Sequence, residues 1–392
     1  MAGGGGLLRL MNGTSGFILC RMVSNGFSAW LEIDLDVIRQ NVRELARISQ
    51  AEVMAVVKAN GYGHGAAAVA RAAVEAGATW LGVARLEEAI DLRRSGLHCH
   101  ILVMGYTSPD RVAEVINNNI CLTIYDQQMG EAYAQQAETL RGGLRLHIKV
   151  DTGMGRLGIS PDTAHEFIEA LSRRPKLTIE GIFTHFACAD EPDQPTTARQ
   201  LAMFEELVRG LREHGVAPRY IHSANSAAIL NYPNAHFDLV RPGIALYGYQ
   251  PSPETPLPAG IHPGLVWKTR LTSVRTFPGG HGISYGHIYH TRQEERIGSI
   301  AIGYADGFRR VPGNIALVRG KRVPVVGRVC MDQCMLQLDS VPDAQIGDEV
   351  VLIGRQGDEH ISVEEMAERW GTFNYEVICG LSARLPRIYI NK

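Results

Sequence analysis

The chain has 392 residues, of which 45% are hydrophobic and 20% charged, and a formal net charge of -2. Its length points to two domains and its balance to an ordinary soluble globular protein, with no global electrostatic reason to bind nucleic acid or an anionic membrane. Its 7 cysteines are odd in number and scattered without a Cys-x-x-Cys pair, which suggests reduced thiols in a cytosolic protein and favours neither a disulfide framework nor a metal site.

Residues 1–28 come first. They lack the basic start, long apolar centre and small-residue cleavage site of a signal peptide and are expected to form a flexible extension. No apolar run in the chain approaches the roughly 20 residues that would span a bilayer. From Ala29 short β-branched runs alternate with helical periods. Strands are expected at Val53–Val57, Trp80–Val83, Ile101–Val103, Ile120–Ile124, Leu144–Val150, Leu177–Phe183, Tyr220–His222 and Asp238–Val240. Helices are expected between them, such as Ala66–Glu75, Leu86–Arg93, Pro161–Leu171 and Arg199–Glu213, with Gly77, Gly96 and Gly215 placed as left-handed stops. Eight strand-then-helix units suggest a TIM barrel, although a doubly wound sheet gives a similar alternation, so the pattern alone leaves closure open.

The segment PSPETPLPAGIHP (residues 251–263) is too rich in proline for either regular structure and reads as a linker. Beyond it strands are expected at Val266–Phe277, Arg296–Ile302, Ile315–Val318, Arg322–Val329, Cys334–Leu338 and Glu349–Ile353, with one helix at Ser362–Trp370. The expected division is therefore a barrel over 29–255 and a mostly β domain over 256–392, with C-terminal elements free to help close the barrel.

The run Val53–Gly65 (VMAVVKANGYGHG) ends an apolar strand on Lys58 and then turns through glycines that carry Tyr62 and His64. In a barrel the C-terminal strand ends carry the chemistry. A lysine there, backed by apolar residues, loses hydration, and that favours the neutral amine needed to form an imine. An arbitrary strand-end lysine more often just reaches solvent.

This string closely resembles the pyridoxal phosphate (PLP) attachment segment of alanine racemases, and the resemblance runs from about Ala29 to the C-terminus. Four further segments match in order: Lys149–Gly158 (KVDTGMGRLG), Arg241–Gly248 (RPGIALYG), Ile283–Gly286 (ISYG) and Gly327–Gln333 (GRVCMDQ). The resemblance implies a fold-type III PLP enzyme with an N-terminal (β/α)8 barrel and a C-terminal mostly β domain.

Residue roles follow from the same resemblance. Lys58 carries PLP and serves as one of two catalytic bases, and Tyr285 is the second, on the opposite face of the substrate. Two bases suit racemisation because the α-proton leaves one face of a planar carbanion and returns to the other. Arg241 partners the pyridine nitrogen. An arginine stays protonated and donates there, so the ring is a weaker electron sink than with the carboxylate partner other PLP enzymes use. Tyr62, Asn225, Ser226, Gly243, Ile244 and Tyr375 fall where the family binds the cofactor, mostly at its phosphate, and His185 falls where a histidine stacks on its ring. Arg156 and Met331 match substrate-binding positions, and Lys149 matches a position that is commonly carbamylated to orient that arginine. Tyr304, Asp190, Arg328 and Phe373 match the entrance corridor, Phe373 being bulkier than usual. Tyr285 and Met331 enter the site from the neighbouring subunit, which implies a homodimer.

The function this implies is reversible conversion of L-alanine to D-alanine in the cytoplasm, supplying peptidoglycan synthesis. A racemase for serine or for a broad range of amino acids would share nearly all of these motifs, since a pocket discriminates poorly against one added hydroxyl. A related decarboxylase would put an acidic residue where Arg241 stands. A non-catalytic PLP-binding protein of a single barrel would leave Tyr285 and the β domain without a purpose.

Overall fold

The computed structural model describes residues 26–391, so most of the extension expected over 1–28 lies outside the described residues. The first strand, β1 (Ala29–Asp34), leads into a helix at Leu35–Ser49 whose start is fixed by Asp34 accepting from the Asp36 and Val37 N–H groups. Leu35, Ile38, Val42 and Leu45 recur at helical spacing and are buried.

Eight parallel strands follow: β2 (Glu52–Val56), β3 (Trp80–Val83), β4 (His100–Val103), β5 (Cys121–Ile124), β6 (Leu144–Lys149), β7 (Leu177–Phe183), β8 (Tyr220–His222) and β9 (Leu239–Val240). Their order is β8-β7-β6-β5-β4-β3-β2-β9. Between β8 and β9 the gap is bridged: Asp238 N–H donates to the Ile221 carbonyl at 3.1 Å, and Ile221 N–H to Asp238 Oδ2 at 2.8 Å. The alternation therefore resolves as a nearly closed barrel. Alternate residues fill the interior, where Met54, Trp80, Leu102, Cys121, Tyr220 and Leu239 form a core cluster of their own, as the layered centre of such a barrel requires. The outward residues meet the surrounding helices, so these strands are buried on both faces and read as continuous apolar runs.

The second sheet is built from β10 (Leu265–Phe277), β13 (Glu295–Ile300), β14 (Ile315–Val318), β15 (Lys321–Val326), β16 (Cys334–Gln337), β17 (Glu349–Gln356), β18 (Glu359–Ile361) and β19 (Arg387–Ile390), beside the small hairpin of β11 (Gly282–Ile283) and β12 (Tyr289–His290). β1 belongs here. It pairs antiparallel with β10 and parallel with β19, so the barrel segment is enclosed in sequence between two neighbouring strands of the β domain, β1 and β10. β15 stops at Val326 rather than Val329 because Gly327 turns the chain at φ +69°. The proline-rich segment packs against the barrel: Ile261 is buried, and Asn41 bonds both Leu246 and His262 carbonyls.

The two parts meet at the turn after β2. Arg387 of β19 donates to the Gly63 carbonyl at 3.1 Å, and a Cβ on Gly63 would lie 2.1 Å from the Ile378 carbonyl oxygen. Only glycine permits that approach.

Candidate active site

Lys58 follows β2 at the C-terminal mouth of the barrel. The turn it opens is left-handed: Ala59, Asn60 and Gly61 have φ of 53°, 54° and 61°. Each non-glycine residue held there costs about 1–2 kcal/mol, and side chains distant in sequence offset it. Glu88 accepts from Ala59 N–H at 2.7 Å with one oxygen and from Ala84 N–H at 2.8 Å with the other, and Asn60 Oδ1 accepts from Ala66 N–H. Glu88 escaped the sequence reading because a glutamate in the first turn of a helix looks like an ordinary cap. Burial lowers the Lys58 pKa, with Arg156 and then Arg241 adding to the effect. The neutral amine is favoured on both grounds.

Arg241, just past β9, is buried with its guanidinium fixed from several sides. Nη2 donates to the Thr184 and Ser223 carbonyls at 2.8 and 2.7 Å, and Nη1 to His222 Nδ1 at 2.9 Å. Its charge has no carboxylate partner among these contacts, and burial pulls its pKa down to about 9. His185 Nδ1 lies 3.3 Å from the same Nη2; burial and Arg241 hold that ring well below the usual histidine range, hence neutral. Gln200, a buried polar residue on the apolar face of its helix, fixes this segment through the His185 carbonyl and Ala187 N–H. Its place on that face was a signal the sequence offered.

The third group surrounds Gly243. Ser226 Oγ accepts from Gly243 N–H at 2.8 Å and Ala245 N–H at 3.2 Å, so the Gly243 N–H expected to face an anion donates to this serine. Asn225 caps the short Ser226–Asn231 helix, its Oδ1 accepting from Ala228 N–H. Ile244 opens the 3-10 turn that follows Gly243. A Cβ on Gly243 would lie 2.6 Å from Tyr62 Oη, so the glycine leaves a space into which the Tyr62 and Ser226 hydroxyls point. Burial raises the Tyr62 and Tyr375 phenols well above their usual range. Both stay protonated, and such neutral donors suit a phosphate.

Lys149, at the end of β6, is buried, and its pKa is lowered to about 8 by burial first, then by Arg156 and Arg241. Arg156 lies in the exposed turn beyond it, where Asp151 caps the Gly153, Met154 and Gly155 N–H groups. A neutral-tending amine at a strand end, a hydroxyl-lined space at Gly243 and a buried guanidinium share one barrel mouth. That set fits an aldehyde cofactor carrying a phosphate and a ring nitrogen.

Tyr285 and Met331 stand apart on the β domain, 67% and 53% exposed. Among the described residues neither has a hydrogen bond or ring contact to the barrel-mouth set. Ser284, before the tyrosine, has φ 64° and ψ -175°, a conformation costing about 1–3 kcal/mol outside glycine. It is fixed by Oγ donating to the Arg328 carbonyl at 2.7 Å.

Comparison with known proteins identifies the family. Residues 33–251 match the alanine racemase N-terminal domain and residues 265–389 the C-terminal domain. An alanine racemase of Symbiobacterium thermophilum is 47% identical over 92% of this chain and 96% of its own length, and one of Methanococcus maripaludis is 43% identical over 92% and 98%. A crystal structure of alanine racemase from Bacillus anthracis with bound L-Ala-P superposes with a TM-score of 0.88 at 43% identity, covering 93% of this chain and 95% of that one. With both domains matched, and 47% identity over 92% of its length to one alanine racemase, the chain belongs to the alanine racemase family.

Proposed function

We propose that the protein interconverts L- and D-alanine with PLP, through Lys58 and Tyr285 on opposite faces of the substrate. The observation carrying this reading is the buried, carboxylate-free Arg241 guanidinium in the same mouth as an amine that burial keeps towards its neutral form. PLP, when bound, supplies an electron sink that acidifies the α-hydrogen of an attached amino acid. Lys58 Nζ is the anchor and the proton carrier on one face. Tyr285 Oη carries the proton on the other. Arg241 donates to the ring nitrogen and stays charged, which limits how much charge the ring takes up and so disfavours side reactions. Tyr62, Ser226, Tyr375 and the Gly243–Ile244 turn hold the phosphate, with Asn225 fixing the helix that carries Ser226. His185, kept neutral, stacks on the ring, while Arg156 and the Met331 backbone bind the substrate carboxylate.

The exposure of Tyr285 and Met331 supports a homodimer in which each subunit completes the other's site. No helix among the described residues is long and apolar enough to cross a membrane, and a cytoplasmic enzyme supplying D-alanine to the cell wall accords with that. In deuterated water with L-alanine, the holoenzyme should exchange the α-proton, seen by NMR, while total alanine stays constant and the D-enantiomer accumulates. Release of carbon dioxide, or no exchange at all, overturns the reading.

Lys149 is the second element of the proposal. A pKa of about 8 leaves roughly a tenth of the amine neutral at pH 7, against well under a thousandth for a free lysine. That neutral amine can add carbon dioxide and lose a proton, giving a carbamate whose negative charge orients Arg156. With 13C-bicarbonate the protein should show a carbamate carbon resonance that Lys149→Arg removes. A wild-type spectrum without it sinks the modification.

A further inference from the structure

Behind Arg241 a second pair of buried side chains continues away from the mouth. His222 Nε2 lies 2.7 Å from His147 Nδ1, and both residues are fully buried. Proton positions follow from one fact, that a guanidinium only donates. Arg241 Nη1 at 2.9 Å makes His222 Nδ1 an acceptor, so the proton of His222 sits on Nε2 and points at His147. His147 Nδ1 must then accept, and its own proton sits on Nε2. That last atom is buried without a hydrogen-bond partner, so the bond to His222 is the polar contact that justifies an imidazole here. A leucine would fill the barrel layer at less cost. The space is also made for the ring: a Cβ on Gly181 would lie 2.6 Å from His147 Cε1 and Nδ1.

We infer that His147 is a positioning residue, which accepts the His222 proton, fixes the His222 tautomer and thereby keeps the Arg241 guanidinium seated for the reaction. This rests on the proposed use of PLP. Both imidazoles are kept neutral mainly by burial, His147 pushed down to about 3 with Arg145 adding to the effect and His222 well below its usual range. Besides His222 and Arg241, the charged and titratable groups around His147 include Arg145, His100, Tyr220, Glu180 and Cys121. Cys121, His147 and Glu180 bring three potential metal ligands within 4.8 Å of one another, but a metal on His147 Nε2 would displace the proton that the donor-only guanidinium forces onto it.

Two measurements on the holoenzyme test this. By 15N NMR of histidine-labelled wild type, both rings should be protonated on Nε2 alone. Protonation of His222 on Nδ1, or one equivalent of bound zinc by elemental analysis with loss of the His147 Nε2 proton, overturns the relay, and neither result depends on turnover. The second measurement is partition. When seating fails, alanine, the lysine-bound cofactor and one water become pyruvate, the aminated cofactor and the free lysine amine. Pyruvate formed per racemisation event should rise about tenfold in His147→Phe and return to within about twofold of wild type in His147→Asn, whose side-chain oxygen can accept in place of Nδ1. An unchanged ratio in His147→Phe, or an equal rise in both variants, overturns the inference. If the wild type binds no PLP, the proposed function fails separately and the NMR result still judges the relay.

Discussion

Lys58→Ala should give a folded protein that holds no cofactor through dialysis, shows no visible absorbance after incubation with PLP, and racemises alanine at least ~10³-fold more slowly than wild type. The loss follows from chemistry: Lys58 opens the turn after β2 at the barrel mouth, and burial there suppresses its charged form. Lys149, another amine lowered by burial, Arg156 and Arg241, ends β6 instead, so absorbance that Lys58→Ala loses distinguishes the two. Folding survives because the left-handed turn is held by Glu88 and Asn60 and by bonds such as Gly61 N–H to the Val57 carbonyl, none of which uses the lysine side chain. Removing a buried amine whose charge is disfavoured should change stability by no more than about 1 kcal/mol. Denaturant melts check the fold and absorbance checks the anchor. Visible absorbance that persists in the variant would rule out Lys58.

Tyr285→Phe removes one hydroxyl and should slow α-proton exchange by ~10²–10⁴-fold from one enantiomer while sparing the other more. The asymmetry is diagnostic, since a base on one face serves one hand of the substrate. Equal residual exchange from both enantiomers would falsify the two-base assignment. The same variant tests assembly. Tyr285 lies exposed on the β domain, and the proposed two-base site takes it from a second copy. Mixing Lys58→Ala with Tyr285→Phe and letting subunits exchange should restore about a quarter of wild-type sites, because half the dimers become mixed and each gains one intact site. Activity that stays at the level of the separate variants would place both bases in one chain.

Much of this was legible in the linear order of residues. The eight barrel strands fall within about a residue of where β-branched runs sit, because a strand covered on both faces is apolar throughout and stands out from its helices. Lys58 was visible as a cation ending an apolar run before glycines, and the glycines matched a turn that needs positive φ. The motifs around Lys149, Arg241, Tyr285 and Met331 pointed to the same family that the whole chain matches.

Other features depended on partners far along the chain. Ala29–Asp34 has strand character, yet its neighbours are β10 and β19, more than 230 residues away; local periodicity tells which face is buried and not which element covers it. Ser226, expected at the cofactor, also takes up the Gly243 N–H from a turn 17 residues on. Glu88 and Gln200 looked like an ordinary helix start and a helix interior. His147 and His222 are single inward residues on strands separated by β7, and their protons are set by an arginine on a third strand end. The sequence by itself determined the α/β alternation, the strand end on which Lys58 follows and the family, because those rest on short-range pattern. Only the tertiary structure decided how that lysine's turn is held and where the buried protons lie, because hydrogen bonds between distant residues leave no periodic trace.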